Sequence, residues 1–195
     1  MTGLRFYQRM TRKRDPLTAE ALSEGNLWGV ILEDETAGAA VAKRLSDPAM
    51  LLLTPTEFIL TVSRVRGLAY AKAGVVLAVL LLHGRYYGPW PVADPERKRE
   101  QHMTARRFAE RLIDKRYPLE VESVSTSQLW AVVLNDRQAG HELGERVAEL
   151  IDLEPPLFLH ALEVLPLIGK ARAARVLAAL LLARFRVRES PLLTL

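Results

Sequence analysis

The stretch "EVLPLIGKARAARVLAALLLARFRVR", residues 163–188, decides how the rest of the chain is read. It opens apolar, meets Pro166 and Gly169, and then carries Lys170, Arg172 and Arg175. Hydrocarbon follows from Val176 to Leu182, and Arg184, Arg186 and Arg188 close it. After Glu163 the next acid is Glu189. The pattern reads as helix, tight turn, helix. Gly169 stands where the chain must turn, with a positive φ expected there because glycine tolerates it. The second helix is expected to start near Lys170 or Ala171. Its first turn then exposes unpaired N–H groups and the positive end of the helix dipole, an arrangement that suits phosphate. Val176–Leu182 holds the helix in a core. The bland alternative is an ordinary helix pair whose surface cations are only solvated.

This stretch has a partner. "VRGLAYAKAGVVLAVLLL" (65–82) aligns without a gap to "LPLIGKARAARVLAALLL" (165–182) at a spacing of 100 residues. Upstream, "NLWGVILEDETAG" (26–38) matches "QLWAVVLNDRQAG" (128–140) at a spacing of 102. Each half opens with a basic segment, "RFYQRMTRKR" and "ERKREQHMTARRFAERLIDKR". A period this long is a duplicated domain rather than a solenoid repeat. The expected organisation is therefore a first repeat at 1–88, a Pro-rich linker at 89–96 and a second repeat at 97–195. The prolines of "GPWPVADP" interrupt any continuous helix and stiffen the linker.

The expected fold class is all-α, as two tandem related helical domains. In "TARRFAERLIDKR" the apolar residues Phe108, Leu112 and Ile113 recur at helical spacing, and Arg107, Arg111 and Lys115 form a stripe on a neighbouring face. Ser125 or Ser127 is the expected N-cap of "STSQLWAVVLNDR". Glu154-Pro155-Pro156 marks a break, and "PLFLHALEVL" restarts a helix with proline in its first turn. "WGVILE" and "WAVVLN" are the best strand candidates, but their flanks favour helix. Trp28 and Trp130 occupy matching positions and read as core anchors.

The chain has 195 residues, 27 Lys+Arg against 23 Asp+Glu, a net charge of +4 and no cysteine. The small excess hides a sorted pattern. Residues 119–154 hold eight acids against two bases, between flanks that are net positive. Sorted charge points to a polyanion better than the total does. The absence of cysteine excludes disulfides and thiolate metal sites and fits a reducing, cytoplasmic compartment. The N-terminal stretch is no secretory signal. The longest apolar run, "AGVVLAVLLL" at 73–82, has about half the length a membrane span needs, so no membrane association is expected.

On these residues a resemblance can be stated. "LPLIGKARAARVL" resembles the helix-hairpin-helix pattern L-P-x-I-G-x-x-x-A-x-x-apolar-L. The larger order of "TARRFAERLIDKR", "STSQLWAVVL" and "FLHALEVLPLIGKARAARVL" resembles the actinobacterial integration host factor family. In that family a long basic helix precedes a "LTQVL"-like helix and a "LLxALPxVGKxKA" hairpin. Leu162, Leu165, Pro166, Ile168, Gly169, Lys170, Arg172 and Ala173 carry the match. The resemblance implies a nucleoid-associated protein that binds double-stranded DNA with little sequence preference, bends it, and assists a recombinase or integrase. It implies phosphate contacts from Gly169 and Lys170, added charge from Arg172 and Arg175, and a second contact from Arg106, Arg107 and Arg111. Arg184 and Arg186 complete the set on this repeat. The first repeat departs from the pattern: Ala69 and Tyr70 replace Gly169 and Lys170, and Gly67 lies two residues early. Its turn has either shifted or lost its grip, while Arg64, Arg66 and Lys72 keep the charge. Tyr70 either hydrogen-bonds a phosphate or covers the core. With both repeats binding, the monomeric chain would act as a covalent pseudo-dimer that clamps or bridges DNA.

Catalytic patterns are missing. His83, His102, His141 and His160 are scattered without metal spacing, and no P-loop, G-x-S-x-G or G-x-G-x-x-G is present. No Asp follows Asp152, which argues against a hairpin glycosylase. The expectation is a non-enzymatic protein with no cofactor. Its rival from another class is a protein-interaction scaffold or phage assembly component built from duplicated helices.

Overall fold

The computed structural model describes residues 1–18, 21–65, 68–86, 88, 103–116, 119 and 124–187, with backbone alone for 184–187. Among these, ten α-helices and a short 3-10 turn form, and no strand. The helices are α1 (Gly3–Thr11), α2 (Glu24–Leu32), α3 (Glu35–Leu45), α4 (Pro55–Ser63), α5 (Tyr70–Leu82), α6 (Ala105–Ile113), α7 (Thr126–Leu134), α8 (Arg137–Leu150), α9 (Pro155–Glu163) and α10 (Lys170–Val187). The 3-10 turn covers Pro48–Leu52. The linker at 89–96 lies outside the described residues.

The two halves of the sequence share local chemistry at matching positions. Ser23 and Ser125, 102 residues apart, each cap their helix by accepting the N–H three residues on. Such a cap satisfies one of the orphan donors of the first turn. Both helices then end on a left-handed residue, Glu33 (φ 53) and Asn135 (φ 52). Asp34 and Asp136 start the next helix by accepting from Ala37 and Ala139. "WGVILE" and "WAVVLN" are therefore helical, closed by a residue that reverses the chain. Trp28 and Trp130 are 1% and 2% exposed, the core anchors expected. The two helix pairs cross on small residues. A Cβ on Gly38 would fall into the Gly29 backbone, and one on Gly140 into that of Ala131. The spacing of 102 also reaches the chain's start. "MTGLRFYQRMTRKRDPL" and "MTARRFAERLIDKRYPL" align from Met1 and Met103. In both, the trailing leucine folds back, Leu17 N–H donating to the Arg9 carbonyl and Leu119 N–H to that of Arg111.

Packing divides the described helices differently from the sequence. One compact unit comprises Met1–Ala42 with Leu153–Leu195, the other Lys43–Asp152. The first holds α1, α2, most of α3, α9 and α10. The second holds α4 to α8 and the end of α3. Each unit thus has one basic helix, one Trp helix and one hairpin, and the hairpin comes from the other sequence half. The units cut across 1–88 and 97–195. In the first unit Phe6, Leu27, Trp28, Phe158 and Val176 are among the fully buried residues. Phe58, Val76, Phe108 and Trp130 play that part in the second. At about 25 cal/mol per Å² of apolar surface removed from water, these cores supply the main drive for folding.

Candidate nucleic-acid interface

The hairpin of the first unit is α9, a turn at 164–169, and α10. Pro155 occupies the first position of α9, where its missing N–H costs nothing. Within the turn, Leu165 N–H donates to the Leu162 carbonyl and Ile168 N–H to that of Leu165. Gly169 then supplies the carbonyl for the Ala173 N–H and so opens α10 at Lys170. Among the described residues the one glycine with a positive φ is Gly84. The left-handed turn expected at Gly169 is therefore corrected: two successive short-range bonds reverse the chain without it. Gly169 is exposed, and a Cβ there would meet nothing within 4 Å.

The cations of this mouth are engaged within the fold. Lys170 Nζ lies 3.4 Å from Glu163 Oε1 and 5.6 Å from the centre of the Tyr7 ring. Arg172 Nη1 donates to the Leu167 carbonyl at 2.7 Å, satisfying an acceptor of the turn. Arg175 Nη2 pairs with Glu33 Oε1 at 2.5 Å, and its side chain is only 13% exposed. Tyr7, brought in by α1, is buried beneath them, its hydroxyl donating to Glu163 and lying 3.2 Å from His160 Nδ1. Burial first, and then Glu163, push the Tyr7 hydroxyl from 10.0 up to about 12. The Tyr7 hydrogen bond, with Lys170 and His160 adding to it, holds the Glu163 carboxyl below the ordinary range. Glu33, Tyr7 and Glu163 were not singled out in the sequence. The alignment from Met1 and Met103 opposes Tyr7 to Ala109 and could have marked Tyr7 as special to one repeat.

The second unit repeats the backbone and changes the side chains. The bonds Val65 N–H to Val62 carbonyl, Leu68 N–H to Val65 carbonyl and Ala73 N–H to Ala69 carbonyl stand 100 residues from those of the other turn. The described hydrogen bonds of the first repeat's turn keep the register of the second's. Tyr70 is 47% exposed at the first position of α5, with Arg64 exposed and Lys72 half-buried nearby in sequence. Arg66 and Gly67 lie outside the described residues, as do the side chains of Arg184 and Arg186.

The basic helices and the residues that follow them carry exposed charge. On α6, Arg106 and Arg107 are exposed, and Arg106 Nε pairs with Glu110 at 2.7 Å. Arg111 is half-buried. Helix α6 ends at Ile113, so the expected Arg107–Arg111–Lys115 helical stripe stops short: Asp114 is extended and Lys115 and Arg116 follow it, exposed. On the other unit Arg5 is exposed on α1, and Arg12, Lys13 and Arg14 follow its end, exposed too. Arg9 lies 3.8 Å from Asp15. Among the described residues no group of three or more His, Asp or Glu is placed to hold a metal, and no helix is long and apolar enough to cross a membrane. Comparison with known protein families, with curated proteins and with solved structures gives no match.

Proposed function

We propose that the chain is a non-enzymatic protein that binds double-stranded DNA through phosphates, with little base reading, and that it bends or bridges the duplex. The observation that carries this reading is the matched pair of exposed cationic segments. Arg5, Lys13 and Arg14 lie on one unit and Arg107, Lys115 and Arg116 occupy the equivalent places on the other; Arg12, opposite Asp114, is added on the first and Arg106 on the second. Cations at repeated positions on two units suit a repeating anion, and the resemblance of the 165–177 hairpin to helix-hairpin-helix DNA-binding motifs supports the same partner. In this reading the basic helices make the main contacts. Lys170 and the exposed Gly169 corner assist, and Arg172 and Arg175 serve the fold.

Fluorescence anisotropy on a mixed-sequence duplex tests it. About four phosphate contacts weaken binding by about two orders of magnitude between roughly 50 and 200 mM salt. A flat salt response, or no binding at the low end, overturns the reading. Replacing Arg106, Arg107, Lys115 and Arg116 by Ala should weaken all sequences alike. Arg175→Ala should lower stability and leave the salt slope unchanged.

A second reading, a protein-interaction scaffold, has its own observation. Leu157 on α9 and Val164, which follows its end, are 56% and 78% exposed. Leu157 occupies the place where its counterpart Glu57 completes a capping box with Thr54. An apolar residue kept where a capping acid would stabilise the helix suits a covered face. Association with a protein partner, undiminished by the α6 substitutions, would favour it.

A further inference from the structure

We propose that the side chains themselves specify the exchange of hairpins: each basic helix and Trp helix is shaped to accept the hairpin of the other sequence repeat and to reject its own. Four positions argue for this, each differing between repeats where α1 matches α6, α2 matches α7, and α4–α5 match α9–α10.

The first is charge. Glu33 pairs with Arg175 in one unit. The equivalent residues in the other are Asn135 and Val75, and Asn135 is used differently, its side chain accepting the Ala105 N–H at 3.3 Å. Unexchanged pairing would set Arg175 against Asn135 and Glu33 against Val75. A largely buried guanidinium would then lose its carboxylate, which is unfavourable in a low dielectric, while the exposed Glu33 would lose its partner.

The second is the polar cluster. Tyr7 serves Glu163, His160 and Lys170. Its counterpart Ala109 has no hydroxyl to offer that hairpin, and the other hairpin carries Ser63, Leu60 and Tyr70 in the same three places. The third is volume. A Cβ on Gly74 would stand 2.9 Å from the Ala105 carbonyl oxygen and 3.2 Å from the Ala109 Cβ. The hairpin of the second repeat carries that methyl, as Ala174, so α6 receives α5 more closely than it could receive α10. The fourth is a hydrogen bond. Thr56 donates to the Leu112 carbonyl at 2.6 Å, and Pro156, its counterpart, has no donor. Charge, hydrogen bonding and volume all favour one pairing, the condition under which a sequence discriminates against an alternative.

The chain has no cysteine, so introduced pairs report without background. In the full chain, Glu33→Cys with Arg175→Cys should be joined by a short bis-maleimide at the mass of one chain, a spacer being needed because the Glu33–Arg175 contact spans two long side chains. Glu33→Cys with Val75→Cys, the reporter of unexchanged pairing, should not. Cross-linking of 33 to 75, or a 33–175 product at twice the mass, overturns the proposal as stated. The determinants are then transposed by exchanging residues 56, 60, 63, 70 and 74 with 156, 160, 163, 170 and 174. The transposed chain should gain the 33–75 product and lose 33–175. Retention of 33–175 alone would show that the connecting segments, not the side chains, set the pairing. A double-mutant cycle of Glu33→Asn and Arg175→Val needs no refolded alternative. The second substitution should shift the melting temperature much less once the first is present, and strictly additive shifts overturn the proposal.

Discussion

The two hairpin turns share matching backbone hydrogen bonds and differ in chemistry. Hydrogen bonds 100 residues apart close both. One mouth collects Tyr7, His160, Glu163 and Lys170. The other offers Leu60, Ser63, Tyr70 and Ala109 in the same places. A turn of this kind therefore determines where a cation is displayed and not what it does. Lys170, Arg172 and Arg175 look like a phosphate grip in sequence, yet a carboxylate, a carbonyl and a second carboxylate engage them. Charge on a turn is informative only with its neighbours counted.

The largest test of the comparison is at the cores. Trp28→Ala and Trp130→Ala should each cost about 3–5 kcal/mol, as expected for a buried aromatic replaced by a cavity, and by similar amounts. Chemical denaturation measures both. A marked inequality would show that one unit tolerates repacking and would break the equivalence of the two.

A smaller effect separates the mouths by pH. Glu163 is held below its ordinary range, so its contribution is present above the unfolded carboxylate value of about 4.3 and is lost as pH falls through its depressed folded value. The raised Tyr7 hydroxyl contributes fully below 10.0, and the contribution disappears as pH rises toward about 12. Tyr7→Phe should lower stability near neutrality and flatten both limbs of the stability–pH curve. Unchanged limbs would show that the pair does not couple to folding.

The smallest concerns the hairpins' starts. Thr54 and Glu57 form a capping box on α4, whereas Glu154 gives α9 no side-chain cap. Thr54→Ala should cost about 1 kcal/mol. Transferring the box with Glu154→Thr and Leu157→Glu should raise the thermal midpoint slightly. If that change abolished an association of the protein, the apolar face of α9 would gain a role.

Much of this was legible in the sequence because it depends on local order. Helical periodicity, the Ser125 cap, Pro155 at a helix start and the buried tryptophans follow from spacing and residue type. The left-handed turn expected at Gly169 failed because glycine permits that conformation without requiring it. Tyr7 and Glu33 escaped notice because their partners lie more than a hundred residues away. Nothing in the neighbourhood of either residue announces a contact with the second hairpin.

The sequence by itself indicated that the chain is helical among its described residues, that its two halves resemble each other, and where a few helices begin, those starting near Ser125, Pro155 and Lys170. Those features are set by backbone hydrogen bonding and side-chain period within a few residues. Only the tertiary structure decided which repeat supplies which hairpin and which cations remain exposed. Both depend on shape and charge meeting across long sequence separations, where related repeats offer nearly equal choices and a few side chains settle between them.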